Sequence, residues 1–203
     1  MLKVSVYYEG SLMIRRKTIK QVLADSIIEL MEVQTLEKIT VQMITDNCNT
    51  TRQTFYYHFE DKFQLVNRIF RTKIDSIISM SSPDDPWSEV LGQMLKSMKQ
   101  NENFYNKALS YEGQNSFQKY ITEYTRVTYT KELLKRIAKN ELTSTLIFSI
   151  EFNSYGATGM IQNWIKNNMD IDPFKMAMII ADNMPDSMKV FFSKVEKQAP
   201  TLD

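Results

Sequence analysis

Glycine and proline are scarce in this 203-residue chain, at five residues each. Few positions can therefore take left-handed backbone or stop a helix, so long helices with few tight turns are expected. A lone cysteine, Cys48, excludes an internal disulfide and fits a reducing cytoplasm. The single histidine, His58, lies in the same short region as Cys48. No Cys/His or Ser/His/Asp constellation, metal-spaced cluster or glycine-rich phosphate loop can be assembled from such a set, so neither an enzyme, a metal site nor a cofactor is expected. No run of about 18 apolar residues is present, which excludes a membrane-spanning helix. The opening "MLKVSVYYEG" lacks the long apolar core and small-residue cleavage site of a signal peptide; it reads as an added arm, and Met13 offers a second start.

What is present is ordinary globular usage, with 43% hydrophobic and 24% charged residues. The net charge of +1 says little about partners, but its distribution says more. Residues 1–73 carry 11 Lys/Arg against 8 Asp/Glu, whereas residues 74–203 carry 14 against 16. A mildly basic front on a slightly acidic body suits nucleic-acid binding at one end.

The apolar spacing is helical throughout. Ile19, Val22, Leu23, Ile27, Leu30 and Met31 trace one face of a helix over 15–33. Thr40 is placed to cap a short helix burying Val41 and Ile44, and Asn49 is where the chain must turn. Thr51 caps a second short helix to about Tyr57, with Phe55 and Phe59 facing inward, and Asp61 caps a long one. "SSPDDPW" is a break in which Asp84 and Asp85 serve as turn and cap, and further amphipathic helices follow. Ser144 opens an apolar helix to Asn167; Asp172-Pro173 starts a last helix that Pro185 should kink or interrupt. With no β-alternating run, the fold class is all-α with about nine helices. Residues 13–60 form a three-helix helix-turn-helix unit, and residues 61–203 form a helical effector-binding and dimerisation unit.

Two short helices at a sharp corner, the second polar and aromatic outside, form a helix-turn-helix whose second helix enters the major groove. Arg52 and Gln53 have the donors to read guanine and adenine edges. The hydroxyls of Thr40 and Thr51 can reach phosphate, Thr54 belongs to the same contacting set, and Tyr56 can meet a thymine methyl or donate to phosphate. Cys48 reads as small packing at the helix crossing rather than as a redox-sensing thiol.

The stretch "ITVQMITDNCNTTRQTFYYHFEDKFQL", Ile39 to Leu65, resembles the DNA-binding signature of the TetR family of bacterial regulators. "TFYYHFEDK" is its most diagnostic part. The chain departs from the family at the turn, where Cys48-Asn49 replaces the usual Ala-Gly, and at Gln53, where a small residue is common. The resemblance implies that Tyr57, His58 and Lys62 hold the DNA backbone. "NFYNKALSYEGQNSFQKY" and "SYGATGMIQNWIKNNM" resemble the ligand domains of Firmicutes members, a subgroup that includes activators of dihydroxyacetone-kinase operons. The resemblance also implies a small-effector pocket in the body, lined by Tyr105, Tyr111, Tyr120 and Tyr124.

Gly156 and Gly159 beside the apolar stripe through Met160, Ile161 and Trp164 suggest a two-fold seam between copies. The expected protein is therefore a homodimer on a near-palindromic double-stranded operator. Its first reading is a ligand-responsive repressor of a neighbouring operon; the alternative is an activator recruiting a coactivator protein. A helical scaffold binding only protein would leave Arg52, Gln53 and Tyr57 unexplained.

Overall fold

The computed structural model describes residues 17–82, 84–113, 115–137 and 142–192. The opening segment, and with it Met13, lies outside them. The described residues form ten α-helices and no strand. They are α1 (Ile19–Val33), α2 (Val41–Asn47), α3 (Arg52–His58), α4 (Lys62–Met80) and α5 (Trp87–Lys99). There follow α6 (Glu102–Leu109), α7 (Phe117–Leu134), α8 (Ser144–Lys166), α9 (Pro173–Asp182) and α10 (Asp186–Phe192).

Local chemistry sets the boundaries. A reciprocal capping box starts α1 later than periodicity alone suggests: the Gln21 amide donates to the Thr18 hydroxyl, and the Gln21 side chain accepts from the Thr18 amide. Asp61 caps α4 by accepting from the Gln64 amide at 2.7 Å. Asp172 caps α9, with Pro173 in its first turn. Pro185 falls between α9 and α10, so the expected interruption is complete and one predicted helix becomes two. In "SSPDDPW" the expectation is half right. The Asp85 carboxylate closes a turn by accepting from the Ser82 amide, but Pro86, not an aspartate, occupies the cap of α5.

The first three helices pack with α4 and α6 around Leu23, Ile27, Met31, Ile44, Phe55 and Leu65, all inaccessible to solvent. In the body, α5 lies along α9 and α7 along α8, the two most extensive pairings. A glycine permits the first: a Cβ at Gly92 would fall 2.3 Å from the Phe174 ring. At the far end Trp87, Tyr129 and Phe192 cluster with ring centroids 5.3–5.5 Å apart, and the Trp87 indole N–H donates to the Tyr129 hydroxyl.

The α6–α7 segment ties the body to the first helices. Lys107 donates to the carbonyls of Met31 and Glu32 at the end of α1, Asn115 donates to Asp61, and Tyr111 stacks on Phe63 at 4.3 Å.

Candidate DNA-reading face

α2 and α3 are only seven residues each, too short to persist alone in water. Tertiary anchors hold them. The Ser26 hydroxyl on α1 donates to the Ile44 carbonyl at 2.7 Å, and the Asn47 amide donates to both Ser26 and Glu29. The corner turns at Asn49, whose φ of 51° is left-handed; asparagine tolerates this better than other non-glycine residues. Asn49 therefore does the work that glycine does elsewhere. Cys48 fits the crossing as expected: its thiol donates to the Ile44 carbonyl at 3.2 Å, and burial pushes its pKa up, away from reactivity.

Phe55 is fully buried and Phe59 nearly so, their rings 5.8 Å apart. This fixes the rotation of α3 and turns Arg52, Gln53, Tyr56 and Tyr57 outward. Tyr57 is 84% exposed, an unusual position for an aromatic that has no contact outside the chain. The Arg52 guanidinium lies 5.9 Å from the Tyr56 ring centroid, which pre-orients it along the outer face. Tyr57 and His58 meet edge to face at 4.9 Å. The Thr40 hydroxyl accepts from the Met43 amide and keeps its proton for a partner. The Thr51 hydroxyl accepts from the Thr54 amide and pairs with the Thr54 hydroxyl at 2.9 Å, so one proton of that pair stays available.

Lys62 is the exception. Its ammonium donates to the carbonyls of Glu37 and Ile39 at 2.9 and 2.7 Å, bracing the α1–α2 connection. Burial pushes its pKa down, against the opposing charges of Glu37 and Asp61. Two of its three protons are thus committed inside the chain, which leaves the backbone amide at the start of α4 as the better placed donor for phosphate.

The body places the expected effector residues in different surroundings. An apolar cavity of about 60 Å³ is lined by Met94, Met98, Tyr124, Thr125, Thr128 and Thr158, among others. Of the four tyrosines only Tyr124 reaches it, and its hydroxyl donates to Asp75 at 2.7 Å. Tyr111 is taken up by Phe63, Tyr120 stacks beside Tyr124, and Tyr105 is buried edge-on to Phe70. The threonines on the cavity wall were missed because, read singly, they look like solvent-facing polar positions. Their spacing with Tyr124 and Tyr129 on α7 was the available signal.

The expected seam is also revised. Trp164 is 2% exposed, with its indole N–H donating to the Ile171 carbonyl, so it is not offered to a second copy; Ile161 is half-buried and also lines the cavity. Gly156 and Met160 do face outward, and around Gly156 a Cβ would meet only open space. The exposed apolar row on α8 is Phe148, Phe152 and Tyr155, with Phe148 and Phe152 stacked at 6.5 Å.

Two family models fit these two regions. "Bacterial regulatory proteins, tetR family" matches residues 23–69, and "Transcriptional regulator C-terminal region" matches residues 85–186. The chain belongs to the tetR family. It is a DNA-binding transcriptional regulator, and α2–α3 is its helix-turn-helix. A curated relative, the HTH-type dhaKLM operon transcriptional activator DhaS of Lactococcus lactis subsp. lactis (strain IL1403), is 28% identical over 88 residues. That match covers 43% of this chain and 47% of the relative, so it spans about half the relative's length. Among solved structures, the dihydroxyacetone kinase operon activator DhaS superposes with a TM-score of 0.63 at 20% identity, covering 86% of this chain and 98% of that one. A TetR transcriptional regulator from Rhodococcus sp. RHA1 gives 0.54 at 14% identity, covering 81% and 95%. At those identities the two structures attest the fold alone. No helix among the described residues is long and apolar enough to cross a membrane.

Proposed function

We propose that this tetR-family protein reads a near-palindromic operator as a homodimer, one α3 helix per half-site, and controls a neighbouring operon. In this reading residues 13–60 form the DNA-binding unit and residues 61–203 the regulatory and dimerisation unit. The observation that carries it is the division of α3: Phe55 and Phe59 anchored inside, Arg52, Gln53, Tyr56 and Tyr57 presented outside. Arg52 and Gln53 read base edges. Tyr57, His58, the hydroxyls of Thr40, Thr51 and Thr54, and the Lys62 amide hold the backbone. The exposed row of Phe148, Phe152 and Tyr155 on α8, with Gly156 and Met160, supports the homodimer. Two short reading helices related by symmetry supply an address that one cannot.

The sign of regulation has two readings. One is a repressor released by a small effector bound in the body. The other is activation through a coactivator protein, which the partial match to an operon activator favours. Gel shifts with the DNA upstream of the chain's own gene test operator binding. Loss of transcription from that promoter in a deletion strain supports activation, and a rise supports repression.

A further inference from the structure

Between α1, α4 and α6, where the DNA-binding helices meet the body, runs an open groove of about 730 Å³. That volume is within the ordinary range for small-molecule sites. The less exposed side chains along it are apolar, namely Ala24, Ile28, Ile69 and Phe104. Its exposed rim carries Lys20, Arg68 and Lys73, with His58 at the end nearest α3. Asp25 is the one acid on its wall, and its carboxylate is held by Lys17 at 2.6 Å. None of the three rim cations has a carboxylate partner among the described residues. Tyr105 forms part of the wall; its ring is buried, and its hydroxyl, which makes no hydrogen bond to a described residue, is not sealed from solvent.

Binding of DNA by α3 does not account for these groups. At 1.5 Å rise per residue, Arg68 and Lys73 lie roughly 9 and 16 Å along α4 from Lys62, progressively further from the reading face. We infer that this groove is a binding site for a small organic anion with a short apolar tail. The anionic head meets Lys20, Arg68 and Lys73 at the rim, the tail covers Ile28, Ile69 and Phe104, and the Tyr105 hydroxyl supplies a donor. A molecule held there touches α1 and α4 of the reading unit and α6 of the body together, and so fixes the angle between them. By linkage, its affinity and that of operator DNA change each other by the same factor. The inference goes beyond the proposed function and does not rest on it, since binding is measured on free protein.

The test uses octanoate, with 1-octanol as its uncharged counterpart, titrated calorimetrically into the full chain. Octanoate should bind and octanol should bind at least tenfold more weakly. The Arg68→Ala/Lys73→Ala double variant changes only exposed side chains; it should weaken octanoate at least tenfold. Thr128→Leu, which narrows the apolar body cavity, should leave octanoate binding unchanged. Three results would overturn the inference. One is no binding of octanoate at millimolar concentration. Another is a loss caused by Thr128→Leu and not by the double variant, which would move the site into the body. The third is a double variant that binds octanoate normally but operator DNA poorly, which would assign the rim cations to phosphate.

Discussion

In the reading head, α2 and α3 keep their shape through polar fixtures: Ser26 and Asn47 bind α2 to α1, and Lys62 ties the α1–α2 connection to α4. In the body, α5, α7, α8 and α9 are long enough to pack by apolar faces, closed by contacts such as Phe174 over Gly92. The difference follows from what each region must leave exposed. A head that presents most of α3 to DNA has only Phe55 and Phe59 from that helix to bury, so a few directional bonds must fix its rotation. The body's longer helices each have an apolar face to bury and tolerate looser local specification, as its many methionines suit.

The sharpest way to break this comparison is to remove one anchor from each region. Phe55→Ala should cost about 3–5 kcal/mol, as large-to-small core changes do. Because α2 and α3 cannot stand alone, operator binding should vanish while most helical circular dichroism remains. Trp164→Ala should cost a similar ~3–5 kcal/mol but act on the body, lowering the main thermal transition. If both variants melt the whole chain in one identical transition, head and body are a single cooperative unit and the contrast is wrong.

The outward face of α8 offers a smaller change. Phe152→Asp places a charge in the exposed apolar row and should weaken the homodimer at least 100-fold, about 2.7 kcal/mol, while leaving subunit stability nearly unchanged. Sedimentation over a concentration series reads the first, and denaturation at low concentration the second. A dimer that survives Phe152→Asp would place the seam elsewhere.

The two regions also differed in how plainly they could be read from sequence. Thr40, Thr51, Asp61 and Asn49 announce caps and a corner through their own chemistry, and each does what its type suggests. Apolar spacing on α8 announces a helix but not which side faces in, because Phe148, Phe152, Ile161 and Trp164 are equally apolar. Trp164 went inward and Phe148 and Phe152 stayed outside, a choice made by α6, α7 and α10 rather than by α8 itself. Tyr111 was unreadable for the same reason: it has a stacking partner in Phe63 that lies 48 residues earlier in the chain. The motif points to Lys62 as a backbone contact, yet the sequence does not show that two nearby carbonyls claim its ammonium.

That last point changes what the head's DNA contacts should do. Gln53→Ala should relax discrimination at one operator position by ~1–3 kcal/mol and leave other positions nearly unaffected. Lys62→Ala should lower head stability by ~1–2 kcal/mol through two lost carbonyl partners. It should barely change the salt slope of binding, whereas an ammonium on phosphate would flatten that slope by about one counterion per half-site. Affinities for single-base operator variants at two salt concentrations separate these roles, and a flattened slope for Lys62→Ala would show that the ammonium leaves its carbonyls on DNA.

The smallest effect concerns the body's buried phenols. Burial raises the pKa of Tyr105 and Tyr129 above the usual value of 10.0; at Tyr129 the hydrogen bond from Trp87 opposes it. The unfolded chain loses these protons near pH 10 while the folded chain keeps them, so stability is complete below that pH and falls as pH rises past it. Each pH unit above 10 costs up to about 1.4 kcal/mol per phenol that stays protonated. Tyr105→Phe removes one such group and no hydrogen bond, so it should be nearly neutral at pH 7 and protective at pH 11. Tyr129→Phe removes the acceptor of the Trp87 indole N–H, so it should lower stability at pH 7 by ~1 kcal/mol while also flattening the alkaline slope. Denaturant midpoints at pH 7, 9 and 11 for the three proteins measure both. Equal alkaline slopes in all three would mean that these phenols ionise in the folded chain as easily as in the unfolded one, and that the body is less tightly closed around them than the head is around Phe55.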